Sequence, residues 1–476
     1  MTGDLNAAPW RWTALEAVGA LREKQVSPRE LIEAAMARIE SVDGTINALP
    51  FRCVERALEQ ARAMEQRPVA ERGLLAGLPI AVKDYNDVGG VPTTYGSPIF
   101  ADNVPERSDA MTEKLETRGA IPLAKSNVPE WAGGHTFNPV YGLTRNPWNT
   151  GRSAGGSSGG SAAALASGQI WLATGNDLGG SLRTPAGFNG VVGMRPGPGI
   201  VPRNVRSPSN DILWVEGPMA RTVSDVALML DAMAGHAPED ALSFDREGSY
   251  LAGLGEGERP GRVAFSAGLG VVPVAREIEA AASGAVEGLG GHGVDVSGDI
   301  PDFTGALDGF QTLRAVLLGT MMGDMLQTER ERINEDIVGN IERGFAVTPQ
   351  QLFEAERIRS ALYHRMVRFF ESHDLLICPT ASIAPFPVEQ RYVTEIDGVA
   401  CETYIDWFAV TFAITMTSCP VVSLPCGYTS EGLPVGLQLV GKPRGEAQLL
   451  RQARWIEERF GLAGATPIDP RTPAAQ

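Results

Sequence analysis

Apolar and polar positions along the chain fall into two alternating periods. Leu31, Ile32, Ala35, Met36 and Ile39 recur at helical spacing and line one face of a helix. Ser27-Pro28-Arg29-Glu30 precedes them as a capping box with proline at the first helical position, so an amphipathic helix is predicted over 27–40. A second, charged helix is predicted over 54–66. Residues 78–82 are continuously apolar and end at Lys83, the pattern of a buried strand. Residues 111–118 read as a helix and 121–124 as a strand. An irregular loop rich in Asn, Gly, Pro and aromatic residues then runs to Trp148, a segment type that carries binding residues on rigid scaffolds.

The second half continues the alternation. Residues 162–167 read as a buried helix and 170–174 as a short strand, bracketed by the turns GGSSGG and GNDLGGS. A Pro/Gly-rich turn region reaches Asp211, and a helix over 223–234 follows, capped by Thr222 or Ser224. A strand is predicted over 261–268 and a helix over 275–287. Gly288 to Gly293 match GxGxxG, but they follow a helix and precede a strand, the reverse of a dinucleotide site, and read as a helix C-cap. Residues 305–371 are predominantly helical, with Met321, Met322 and Met325 close together as core packing or adaptable pocket lining. Short strands in DLLICPT, PVVSLPCGY and GLQLVG lead to a helix over 446–460, and the final PIDPRTPAAQ is expected to fray. Alternating helices and strands imply an α/β fold.

Composition narrows the function classes. With 476 residues and 43% hydrophobic content, the chain buries a large core; length alone allows two or three domains. A net charge of -16 argues against nucleic-acid binding. Five scattered cysteines form no CxxC pair, and five dispersed histidines form no HExxH, so neither a disulfide framework nor a protein-ligated metal is expected. The N-terminus has no basic segment followed by an apolar core, and no apolar run reaches membrane-spanning length, so no membrane contact and a cytoplasmic location are expected.

The candidate chemistry centres on 151–195. Gly179 and Gly180 precede Ser181 in a turn whose backbone N–H groups converge as an oxyanion hole needs, so Ser181 reads as a nucleophile on a tight turn. No lysine follows the glycines as a phosphate loop requires, GxSxG is not matched at Ser181, and no histidine stands out for a Ser-His-Asp triad. Lys83 is open to two readings. By residue type it is a solvated charge, but at the end of an apolar strand near Asp84 and Asp87 its burial would make it a general base. A serine activated by a lysine is what remains.

AVKD (residues 81–84), GGSSGGS (155–161) and GNDLGGSLRTPA (175–186), in that order, resemble the amidase signature family. KSNVPEW and TRNPWN before the central motif, and CPVVSLPCGYTSEGLPVGLQLVG after it, extend the likeness over about 12–460, weakest over about 240–370. The spacing of 24 from Ser157 to Ser181 matches the family's paired serines. The resemblance implies a single α/β/α domain over 1–476 with a twisted mixed sheet covered by helices on both faces, a core signature region at about 70–225 and a variable helical region at about 300–372. It implies amide hydrolysis without a cofactor. Ser181 would attack the carbonyl, Ser157, after a cis peptide bond from Gly156, would relay the proton, and Lys83 would accept it. The N–H groups of Leu178, Gly179, Gly180 and Ser181 would hold the oxyanion, Ser158 would only hydrogen-bond the turn, and Asp177 and Arg183 would shape it. Trp131 and Ala132 would line the substrate side, with a core aromatic as the equal alternative for Trp131. Asn176, where the common motif has threonine or serine, and GMRPG, where it has GLKPT, depart from the pattern. The GND form resembles members acting on aminohexanoate amides, so a small-molecule amide, linear or cyclic, is the expected substrate. A homodimer, an amidotransferase-like subunit of a complex and a silent binding protein stay open alternatives.

Overall fold

The computed structural model of the protein describes residues 7–132, 134–203 and 208–473, and of Ala132 only the backbone. Among them, eleven strands form one mixed sheet in the order Phe51–Arg52, Ile121–Ser126, Pro79–Lys83, Leu172–Asp177, Val215–Ala220, Val192–Arg195, Val421–Tyr428, Pro434–Val440, Leu375–Pro379, Arg262–Phe265 and Asp295–Ser297. Pro79–Lys83 runs parallel to both of its neighbours. From Leu172–Asp177 to Leu375–Pro379 the pairing is antiparallel, and at the far edge it is parallel again.

The alternation of side chains along these strands divides the interior into two cores. Leu375 and Ile377 pack with helices Ala14–Arg22, Pro28–Ile46, Val223–Met233 and Glu446–Phe460. Leu376 and Cys378 face the opposite way, toward helices Ala306–Glu329, Pro349–Phe369 and Ala409–Thr415. Successive strand residues point to opposite faces, so both faces are covered and the strands read as continuous apolar runs. The α/β/α layering expected from the resemblance is present.

Several elements form as the sequence predicts. Pro28–Ile46 starts at the Ser27 capping box, with Glu30 accepting from the Ser27 N–H at 2.8 Å. The region predicted as helical consists of Ala306–Glu329, Glu335–Ala346 and Pro349–Phe369. Arg276–Gly290 runs through the first glycines of the GxGxxG match and caps at Gly291 before strand Asp295–Ser297, as a C-cap should. Other expectations need correction. The strand predicted over 170–174 is Leu172–Asp177: its polar end continues because Gly175, Asn176 and Asp177 pair with Gly217, Glu216 and Val215. Val215–Ala220, in the centre of the sheet, escapes the pattern because Gly217 and Pro218 mimic a turn. Helix Ala14–Arg22 is a further element beyond those predicted, despite the Thr13/Glu16 capping box. The tail is held as far as Arg471: the N–H groups of Ile468 and Arg471 donate to Ala166 and Pro147 carbonyls at 2.9 Å. Residues 474–476, the end of the segment expected to fray, lie outside the described residues.

Candidate active site

Strand Leu172–Asp177 runs into a five-residue turn and then helix Arg183–Asn189, which places Ser181 at the head of the strand. Gly180 has φ 132°, and a Cβ there would come within 2.2 Å of Thr411 Oγ1, so only glycine fits. Three of the turn's carbonyls are occupied. Thr411 Oγ1 donates to Gly179 O at 2.6 Å, the Arg183 and Thr184 N–H groups donate to Gly180 O at 2.8 Å, and the Ser158 N–H donates to Ser181 O at 3.3 Å. Among the described residues the N–H groups of Leu178, Gly179 and Ser181 have no acceptor. The Gly180 N–H, expected with them, instead donates to Asp177 Oδ1 at 2.9 Å.

Asp177 anchors this turn. Arg183 grips both its carboxylate oxygens, at 2.8 and 3.0 Å, the Leu182 N–H donates to Oδ2 at 3.1 Å, and Arg195 reaches Oδ1 at 3.1 Å. Burial alone would raise the pKa of this carboxyl, but the two guanidiniums outweigh it and hold it below the ordinary carboxylate range. The turn-shaping reading of Asp177 and Arg183 agrees with these contacts.

Lys83 is fully buried at the end of strand Pro79–Lys83. Its Nζ lies 2.7 Å from Ser157 Oγ, 2.8 Å from Ser158 Oγ and 2.6 Å from Asn176 Oδ1. Burial is the main influence on its titration and brings its pKa down to about 7, against the opposing pull of Glu216 and Asp177. A neutral amine has two N–H bonds and one lone pair. Asn176 Oδ1 can only accept, one serine oxygen takes the second N–H, and the other serine hydroxyl donates into the lone pair. The anticipated neighbours of Lys83 are otherwise engaged: Asp84 lies 3.3 Å from Lys125, and Asp87 accepts from the Tyr95 hydroxyl at 2.5 Å.

The Gly156–Ser157 peptide is cis. Lys83 and Ser157 are in contact, while the Ser181 hydroxyl makes no hydrogen bond among the described residues. Sequence reasoning undervalued two groups. Ser158, expected to serve only the turn, is a direct neighbour of the lysine, and Asn176, noted only as a departure, supplies its shortest contact. Both sit within the motifs, but nothing local reveals that a lysine more than 70 residues upstream meets them.

Trp131 is half-buried, with φ 48°, and stacks on Tyr95 at 5.5 Å and 10° with Phe100 edge-on at 5.4 Å. Met321 and Met325 pack in the same hydrophobic cluster as Trp131, with Met322 in its buried core. The side chain of Ala132 lies outside the described residues. No group of three or more potential metal ligands occurs among the described residues, and no helix there is long and apolar enough to cross a membrane.

This architecture has known counterparts. The family model described as Amidase matches residues 30–450. An acylamidase from Rhodococcus erythropolis is 32% identical over 465 residues, covering 96% of this chain and 97% of its own. A glutamyl-tRNA(Gln) amidotransferase subunit from Thermosynechococcus vestitus is 33% identical over 471 residues, covering 92% and 96%. The solved structure of a 6-aminohexanoate cyclic dimer hydrolase superposes with a TM-score of 0.87 at 27% identity, covering 97% of this chain and 99% of that one.

Proposed function

The chain belongs to the amidase family and hydrolyses amide C–N bonds, and from that premise we propose that Ser181 is the nucleophile, Ser157 the proton relay and Lys83 the base. The observation that carries this reading is the contact between the buried Lys83 Nζ and Ser157 Oγ at 2.7 Å. With its pKa brought down to about 7, Lys83 has a substantial neutral fraction at neutral pH and is mostly neutral above it, and the neutral amine draws the proton from Ser157. Ser157 in turn takes the proton of Ser181 as Ser181 Oγ attacks the carbonyl carbon. A serine side chain changes rotamer easily, and catalytic hydrogen bonds commonly close only when substrate is bound, so the open Ser157–Ser181 contact suits a resting site.

The N–H groups of Leu178, Gly179 and Ser181 are the proposed oxyanion donors. Gly180 gives the turn its shape while its own N–H serves Asp177. Collapse of the tetrahedral intermediate returns the proton through Ser157 to the departing nitrogen, and ammonia or an amine leaves. Water then attacks the acyl–Ser181 ester by the same relay in reverse. The likeness to an acylamidase and to a cyclic dimer hydrolase supports a small-molecule linear or cyclic carboxamide as substrate. On this reading the chain acts alone, in the cytoplasm, with Trp131 beside the acyl or leaving group.

Hydrolysis of a panel of anilides, primary amides and cyclic amides by the purified chain, followed by mass spectrometry, tests this. Wild type releases amine and is labelled at Ser181 by a fluorophosphonate, while S181A does neither. Full hydrolysis by S181A would overturn the assignment. Likeness to the amidotransferase component favours a second reading, ammonia delivery within a complex; glutamine hydrolysis appearing only with added partner proteins would select it.

A further inference from the structure

One buried carboxylate beside the lysine has no part in the chemistry above. The antiparallel pairing of Val215–Ala220 with Leu172–Asp177 sets Glu216 directly opposite Asn176. Opposed residues of such a pair project from the same face with Cβ atoms about 5 Å apart. Glu216 thus stands on the face from which Asn176 reaches Lys83 Nζ. It is 1% exposed; its Oε1 accepts from Trp214 Nε1 at 2.9 Å, the Asn86 side chain also favours its charged form, and Oε2 is buried without a close hydrogen-bond partner among the described residues. Asn176 Nδ2 is likewise buried and unpartnered. The lysine donates to Oδ1, so Nδ2 is the end of the amide left over. A buried donor and a buried acceptor without partners therefore sit on paired residues, an arrangement that calls for an explanation.

We propose that Glu216 is the counter-charge of Lys83: acting through the Asn176 amide, it stabilises the ammonium that forms when the lysine takes the serine proton, and so sets the pH at which the base is available. The inference rests on the Lys83–Ser157–Ser181 reading. The proton moves only between Ser157 Oγ and Lys83 Nζ. Asn176 stays unionised: its Oδ1 accepts from Nζ at 2.6 Å in the resting site, and in the proposal its Nδ2 and Glu216 Oε2, both unpartnered there, close on one another when the ammonium forms, making Glu216 a positioning residue.

The surrounding charges leave this role to Glu216. Asp177, the other carboxylate acting on Lys83, is already neutralised by Arg183 and Arg195 at 2.8 and 3.1 Å. Arg203, the other cation acting on Glu216, is engaged by Asp240 at 2.9 Å and Asp211 at 3.7 Å. Lys125 lies against Asp84, and the Tyr85 ring faces Lys83 Nζ from 4.8 Å. Asp109 is the remaining acid: burial, then the charges of Asp87 and Glu216, push it up to about 7. Burial lowers the pKa of Lys83 and raises that of Glu216, and each partner's charge opposes the other's shift.

The test is the pH dependence of kcat/KM for 4-nitroacetanilide, and of Ser181 inactivation by phenylmethylsulfonyl fluoride. In E216Q the ammonium loses its counter-charge, so the acid limb moves to lower pH by about one unit; E216D moves it part of the way back. W214F removes the hydrogen bond that favours the charged carboxylate and shifts the limb the same way by less, which decides the matter if E216Q does not fold. D109N keeps the wild-type limb. Limbs of E216Q and W214F that superimpose on wild type, or a D109N shift as large as that of E216Q, overturn the proposal. Retained activity in K83A would instead sink the lysine reading itself, whereas an inactive K83A with an unmoved E216Q limb sinks only the counter-charge.

Discussion

At the scale of single residues, the site depends on keeping an amine uncharged beside a hydroxyl. Lys83 must be neutral to act, and its pKa is brought down to about 7 chiefly by burial. Its deprotonated fraction, and with it kcat/KM, should therefore climb as pH rises through about 7 and level off above it. A rate profile flat between pH 5.5 and 8.5 would contradict that sign. Lys83→Ala should cost at least about a thousandfold in kcat, since the members of such a unit fail together. Asp177 obeys the opposite electrostatics: it is charged in the interior because Arg183 and Arg195 enclose it. Asp177→Asn leaves two buried guanidiniums short of their anion, so about 3–5 kcal/mol of stability should be lost in denaturant unfolding.

At the scale of elements, the decisive piece is the turn between strand Leu172–Asp177 and helix Arg183–Asn189. The carbonyls of Gly179, Gly180 and Ser181 are tied to Thr411, Arg183, Thr184 and Ser158, while the N–H groups of Leu178, Gly179 and Ser181 have no acceptor among the described residues. Gly180→Ala would drive a methyl into Thr411 Oγ1 and strain a φ of 132°, so kcat should fall by about a hundredfold or more while the thermal midpoint also drops. Unchanged kcat would show that the turn tolerates the displacement. The neighbouring strand Val215–Ala220 illustrates a limit of pattern reading. Gly217 is required there because a Cβ would meet Met194 O at 2.3 Å, yet in the sequence it reads as a loop residue.

At the scale of the whole molecule, one contact packs against the turn around Ser181 and another fastens the C-terminal tail. Phe310, on helix Ala306–Glu329, stacks on Phe412 at 4.5 Å and stands where a side chain at Gly179 would be. Phe310→Ala opens a cavity against the turn and should cost about 3–5 kcal/mol in unfolding free energy, with a matching loss of kcat. At the other end, Arg38 donates to Ser167 O at 2.8 Å and Ile468 O at 2.9 Å and pairs with Asp469 at 2.7 Å, which fastens the tail beneath helix Gly159–Ala166. Truncation after Thr466 removes two of these contacts and the Ile468 N–H bond to Ala166; a lower thermal midpoint is the expected result.

The residues proposed for attack and relay, most of the helices and most of the apolar strands were legible in the chain itself, because periodicity, capping boxes and Gly/Ser spacing are local signals. Tertiary structure alone decided what encloses Lys83. Asn176, Ser158 and Glu216 are remote from it in the chain, and Glu216 faces the site only because a glycine- and proline-bearing segment pairs as a central strand. Burial and strand register are properties of the assembled sheet, and they determine which polar groups lose water together and therefore which of them titrate as one.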